Sequence, residues 1–187
     1  PIVRVPKFWR KDMPNGVKII GTESNEIPTV TLTITVPGGH LLQANDTAKI
    51  GLAGMFSSMM NEDTKNYTAE QMAVALQKLG SNVSVSSNFD GITFNIQTLK
   101  KNLDNTLALV EERMFNPKFT EQAFSRIQKQ RIENFKQAKA DPAAVASNVF
   151  AKVNYGPNNI LGMSEDGTEY TIKNLKLQDV ENYYSHY

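Results

Sequence analysis

The sequence predicts an α+β fold of two layers, a mostly antiparallel sheet with helices packed on one face. Three observations predict it. Thr29 to Val36 alternates strictly, with Val30, Leu32, Ile34 and Val36 set against Thr29, Thr31, Thr33 and Thr35, the pattern of a strand buried on one side only. The segments follow the order strand pair, helix pair, strand pair, helix run, which differs from the alternation of parallel βαβ units. Neither a G-x-G-x-x-G nor a Walker sequence occurs, so the phosphate-binding loops of those units are absent.

Val17 to Thr22 is read as a first strand and Thr29 to Val36 as a second, whose hydroxylic face is a candidate cavity wall. After the Pro37-Gly38-Gly39 break, a helix is expected from about Thr47 to Asn61. Thr68-Ala-Glu-Gln71 is a capping box that starts a second helix, with Gly80 available to close it. Val83 to Ser87 and Ile92 to Leu99 form a hairpin through Asn88 to Gly91, with Asp90-Gly91 the turn signal. Asn102 to Phe115 is helical up to Asn116-Pro117, and Thr120 opens a long helix to about Ala140. Asp141-Pro142 supplies a cap and a proline at the first position of another helix, which Gly156-Pro157 ends. A polar loop then leads to a last helix near Leu177.

The chain has 187 residues, 20 basic and 19 acidic side chains and no cysteine. That length suits one domain with a substantial core, and the charge balance gives no global field for nucleic acid or anionic lipid. Disulfides and thiolate metal sites are excluded, while either a reducing or an oxidising compartment is allowed. No apolar run approaches the ~20 residues that cross a bilayer, and the chain does not open on a charged segment followed by an apolar one. Because it begins at Pro1 without an initiator methionine, an excised piece of a longer polypeptide or a processed product is expected.

The most informative stretch is Gly51 to Met60, Gly-Leu-Ala-Gly-Met-Phe-Ser-Ser-Met-Met. On a helix, Gly54, Ser57 and Ser58 share one face, and Leu52, Met55, Phe56 and Met59 form an apolar stripe roughly opposite. The core side is furnished and the other side carries no chemistry-bearing group beyond two hydroxyls.

This helix, together with Phe8-Trp9-Arg10, Asn15-Gly16-Val17-Lys18, Gly21-Thr22-Glu23, Glu26-Ile27-Pro28-Thr29-Val30, Pro37-Gly38-Gly39, Leu79-Gly80-Ser81-Asn82-Val83, Asp141-Pro142 and the run from Gly167-Thr168 through Asn174-Leu175 to Tyr183-Tyr184, resembles a half-unit of the pitrilysin (insulinase) type zinc metallopeptidases. In those inverzincins, H-x-x-E-H places two imidazoles and a general-base carboxylate on the shared helix face. By that resemblance Gly54, Ser57 and Ser58 stand at the motif positions. The remaining zinc ligand, a glutamate of the long helix, corresponds to Asn134 when Asp141-Pro142 is the anchor; a shift of one residue would select Glu133. The resemblance implies residues 1–187 as one half-unit domain, truncated before a last strand.

A catalytic zinc needs three protein ligands and an open position. The two histidines, His40 after the Gly-Gly turn and His186 at the penultimate position, have no histidine three or four residues away and read as a solvated loop residue and a terminal one. No metal is therefore assigned to this chain. Ser57 and Ser58 lack both the G-x-S-x-G elbow and an identifiable histidine base. Glu111 and Glu112 are adjacent on a helix, pointing apart, and read as surface charges. Met55, Met59, Met60 and Met72 read as core filling. Arg126, Lys129, Arg131, Lys136 and Lys139 make the long helix basic, usually a solvated face.

In this family two similar halves enclose a chamber, one bearing zinc and the other shaping the cavity. The resemblance thus implies an inactive half, with zinc in a partner half of the same polypeptide or a separate subunit, and peptide as substrate. The family's active half adds substrate to a sheet edge, and the matching segment is Asn82, Val83, Ser84, Val85 and Ser86, since strand addition needs only exposed backbone N–H and C=O groups. The alternative is a structural or assembly module, like ligandless family members that serve as scaffold subunits of respiratory complexes.

Overall fold

Two antiparallel sheets carry the strands. The structure is a computed structural model describing residues 7–24 and 26–186; the chain ends at Pro1 and Tyr187 noted above lie outside the described residues. Strand β1 (Phe8–Asp12) pairs with β2 (Lys18–Thr22) as a two-stranded ribbon in register Phe8↔Thr22 to Asp12↔Lys18. Only the second was expected, because Phe-Trp-Arg-Lys-Asp is exposed along its whole length and has no alternation to read.

The main sheet has the order β3-β5-β4, with β3 Thr29–Pro37, β4 Asn82–Ser87 and β5 Gly91–Leu99. The registers run Thr29↔Leu99 to Pro37↔Gly91 and Asn82↔Gln97 to Ser87↔Ile92. Val83, Val85, Ile92, Phe94 and Ile96 are buried on one face. The threonine face is turned outward, with Thr29, Thr31, Thr33 and Thr35 exposed, and a cavity of about 410 Å³ opens on the opposite face, against Val36, Phe56, Ile92, Phe94 and Tyr183.

The helical layer covers that apolar face, which makes the molecule an α+β two-layer sandwich. Helix α1 is Leu52–Met59, shorter than the expected 47–61. Thr47–Lys49 forms a separate 3-10 turn, and Gly51 intervenes with φ +96°. A side chain at Gly51 would meet the Asp166 carbonyl oxygen at 2.7 Å and Ile172 Cδ1 at 2.6 Å, so the break belongs to the packing as well as the turn. Gly51→Ala is expected to lower the unfolding free energy by about 1–3 kcal/mol, read as a lower urea midpoint at unchanged slope; an unchanged midpoint would refute this account.

Helix α2 (Ala69–Lys78) starts at Thr68 as the capping box requires, with Thr68 Oγ1 accepting from Gln71 N at 3.2 Å and Thr68 N donating to Gln71 Oε1 at 2.9 Å. Helix α3 is Leu103–Phe115, α4 Glu121–Ala138 and α5 Pro142–Tyr155. Asp141 caps α5 by accepting from Ala143 N at 2.9 Å. The polar loop hides a further short helix, α6 (Glu169–Asn174), capped by Thr168; six residues are too few for a helical period to show. The last helix, α7 (Leu177–His186), packs Tyr183 and Tyr184 against Phe56 and Phe119, with centroids 4.7 Å apart for Phe56–Tyr183 and 5.6 Å for Phe119–Tyr184. Met55, Met59, Met60 and Met72 are all buried, filling the layer between sheet and helices. Among the described residues no helix is long and apolar enough to cross a membrane.

Candidate functional site

Helix α1 lies in the core on both of its faces. Leu52, Met55, Phe56 and Met59 are buried as their periodicity requires, but so are Gly54 and Ser57, with Ser58 half-buried. Both serine hydroxyls turn back on their own helix: Ser57 Oγ donates to the Gly54 carbonyl at 3.1 Å and Ser58 Oγ to the same oxygen at 2.9 Å. Hydroxyls committed to local carbonyls in this way are common helix features and carry no activated nucleophile.

What covers the face is Arg131 of α4. A Cβ added at Gly54 would stand 2.9 Å from Arg131 Nη2 and 3.0 Å from Nη1, and Nη2 donates to Ser58 Oγ at 3.0 Å. The guanidinium thus occupies the space into which side chains from positions 54 and 58 would project. Its side chain is only 17 % exposed, a correction to its reading as part of a solvated basic face. Asp166 Oδ1 lies 3.6 Å from Nη1. Burial pulls Arg131 below its ordinary value and Asp166 opposes that; the ordinary value lies so far above neutrality that the group stays charged.

The donor set does not fit zinc. A glycine, two hydroxyls bonded to carbonyls and an amide are poor ligands for this ion, and a fixed cation sits among them. Asn134 and Ser58 line one open cavity of about 420 Å³ together with Arg131, Glu62, Arg126 and Asp166, so the structure brings those two candidate residues to one site. Glu133, the alternative under a one-residue shift, points to solvent and pairs with Lys136 at 2.6 Å.

His40 and Glu112 depart from their expected surroundings. His40 is buried rather than solvated, with Nε2 donating to the Ile160 carbonyl at 2.9 Å and its ring 5.4 Å from that of Phe89. The loop after β3 folds back over the Asn88–Gly91 turn through Leu41 N to Phe89 O, which carries the ring inward. Glu112 is not a surface charge: its carboxylate accepts from Asn66 N at 2.9 Å, Asn66 Nδ2 at 3.0 Å and Asn116 Nδ2 at 3.1 Å. Burial pushes this carboxyl up, but donors from Thr64, Asn66 and Asn116 outweigh it and hold it below its ordinary value. The folded form therefore gains stability from Glu112 above the unfolded-state value near 4.5 and loses it as pH falls through the lower folded value. Glu112→Gln is expected to flatten that acid limb in pH-dependent urea unfolding; an identical limb would refute the assignment.

The edge of β4 is also occupied. Asn61 Nδ2 donates to the Val85 carbonyl at 2.8 Å while Val85 N donates to Asn61 Oδ1 at 3.0 Å, so one amide side chain pairs with Val85 as a neighbouring strand would. Arg113 Nη1 donates to the Val83 carbonyl at 2.6 Å. The segment Asn82–Ser86 is therefore an edge strand on which the Val83 carbonyl and both backbone groups of Val85 already have partners. The roles of Asn61, Arg113 and Arg131 do not show as motifs, since Asn61 sits in the turn after α1 and the two arginines stand among other charged residues of α3 and α4.

By the resemblance drawn from the sequence, this helix in its sheet-and-helix sandwich, with a guanidinium against Gly54 and Ser58, corresponds to a metallopeptidase-type unit without the metal motif. Comparison with known proteins agrees with that class. The family model described as Insulinase (Peptidase family M16) matches residues 19–158, and the chain belongs to this family. It is 24% identical over 169 residues to the non-peptidase homolog YmxG of Helicobacter pylori, covering 90% of this chain and 38% of that protein. It is 22% identical over 185 residues to a probable mitochondrial-processing peptidase subunit beta of Arabidopsis thaliana, covering 97% and 34%. The chain thus spans well under half the length of these curated relatives. Among solved structures, a peptidase M16 inactive domain from Pseudomonas fluorescens superposes with TM-score 0.85 at 21% identity, covering 94% of this chain and 42% of that one. A protease from Helicobacter pylori superposes at 0.84 and 21%, covering 97% and 44%.

Proposed function

We propose that this chain is the first domain of the non-catalytic half of a two-half zinc peptidase, forming chamber wall and contacts to a zinc-bearing half that performs the hydrolysis. The observation that carries this reading is the Arg131 guanidinium against Gly54 and Ser58, which fills the space where motif side chains would meet a metal. The names of its relatives, a non-peptidase homolog and an inactive M16 domain, support it. So do the separately named beta and alpha subunits of mitochondrial-processing peptidases, the latter matched by Mitochondrial-processing peptidase subunit alpha-1 of Dictyostelium discoideum. Zinc belongs to the partner half in this reading. The strand Asn82–Ser86 meets substrate peptide, with strand addition requiring Asn61 to leave Val85.

A second reading, an assembly scaffold without peptidase partner, has one observation in its favour. Helix α5 buries none of its residues, yet Val145, Val149 and Val153 at successive four-residue steps, with Phe150 beside them, are 44–77% exposed. Such a stripe suits a partner surface. The test is peptide hydrolysis by the parental polypeptide or its zinc-bearing partner with this domain present and removed. Lost turnover with zinc retained supports the chamber role. Unchanged turnover refutes it in favour of the scaffold.

A further inference from the structure

Arg113 is a buried cation without a counter-ion. It is 5% exposed, and among the described residues no carboxylate forms an ion pair with it; its neighbour Glu112 is committed to Asn66 and Asn116. Its acceptors among the described residues are two neutral oxygens, Val83 O at 2.6 Å and Asn61 Oδ1 at 3.3 Å, both approached by Nη1. Nε is buried and makes no hydrogen bond. Burial lowers the guanidinium's ordinary value with no charge to oppose it, in contrast to Arg131, which has Asp166.

Arg113 also lines an open groove of about 480 Å³ between α2 and the β4 edge. The α2 wall presents Ala69 and Ala73, one turn apart, with Gln77 a turn further on, and the strand wall presents Asn82 and Val83. Two alanines in line leave the space open, and the amides of Gln77 and Asn82 supply neutral donors. Among the described residues Arg113 is the one charged side chain on the lining, so the site matches a monoanion better than a phosphate. A carboxylate accepts a guanidinium's donors in parallel and neutralises its charge where water is scarce.

We propose that this groove is a carboxylate site, holding an acidic side chain of an extended peptide on Arg113. The choice of a peptide over a free small acid rests on the chamber-wall reading, and on a volume far larger than one carboxylate running beside a strand.

The test is fluorescence anisotropy of the full chain with an end-blocked extended peptide carrying one Glu, the same peptide with Gln in its place, and acetate as competitor. Arg113→Gln removes the charge, and Ala73→Trp fills the groove from an exposed position while keeping Arg113 in place, with folding of both checked by circular dichroism. Saturable binding of the Glu peptide is expected, weakened about tenfold or more by the Gln replacement, by either variant and by added salt. Equal binding of the two peptides, undiminished binding to a folded Ala73→Trp, displacement of the peptide by an equal concentration of acetate, which would assign the site to a free small acid, or no binding overturns the proposal. None of these readouts uses hydrolysis, so the inference fails or stands apart from the outcome with a zinc-bearing half.

Discussion

Writing the motif back into α1, as Gly54→His, Ser57→Glu and Ser58→His with Asn134→Glu, is expected to leave the chain without bound zinc as long as Arg131 remains. A histidine at position 54 starts from a Cβ only 2.9–3.0 Å from the guanidinium nitrogens, so the ring must displace it or turn away. A divalent ion placed among those ligands then sits within a few ångströms of a fixed positive charge in a partly buried site, where repulsion is poorly screened. Adding Arg131→Ala removes both obstacles. Zinc content after exhaustive dialysis should rise from near zero to about one equivalent per chain, with apparent affinity increased on the order of a hundredfold or more. Stoichiometric zinc in the variant that keeps Arg131 would show the guanidinium to be a bystander. The prediction separates two ways of losing a metal site: deletion of ligands, and deletion followed by occupation of the vacated volume.

Asn61→Ala should be the most destabilising single change at the sheet edge, lowering the unfolding free energy by about 2–4 kcal/mol. The amide joins four groups: Ser57 O, Val85 O and Val85 N at 2.8, 2.8 and 3.0 Å, and Arg113 Nη1 at 3.3 Å. Truncation leaves Val85 without its edge partner and leaves Arg113, already short of acceptors, with one fewer. Thermal and urea unfolding measure the loss. A change under about 0.5 kcal/mol would mean that water replaces the amide at no cost. The same variant frees the backbone of Val85, so any gain in binding of an extended peptide by Asn61→Ala would trace to strand addition.

Much of the fold was legible because its signals are local. The Thr68 capping box, the Asp141-Pro142 helix start and the Thr29–Val36 alternation all appear where their residue types require. Strand β1 was missed because Phe8–Asp12 buries nothing and is a strand only through pairing with Lys18–Thr22. Helix α1 is shorter than its local pattern predicts because Gly51's positive φ answers to Asp166 and Ile172, more than a hundred residues away in the chain.

The candidate site divides in the same way. That positions 54, 57 and 58 carry no imidazole or carboxylate is a matter of residue identity, and their common face follows from the helical period alone. By itself the sequence determined the class of fold, the family resemblance and the emptiness of the zinc motif, since each depends on the identity or spacing of residues within a segment. Only the tertiary structure decided which polar side chains leave solvent. Arg131 reaches Ser58 across 73 positions, Glu112 reaches Asn66 across 46, Arg113 reaches Val83 across 30 and Asn61 reaches Val85 across 24. A lone charged residue on a helix has the same local pattern whether water or a carbonyl awaits it, and the packing of distant elements sets which one it meets.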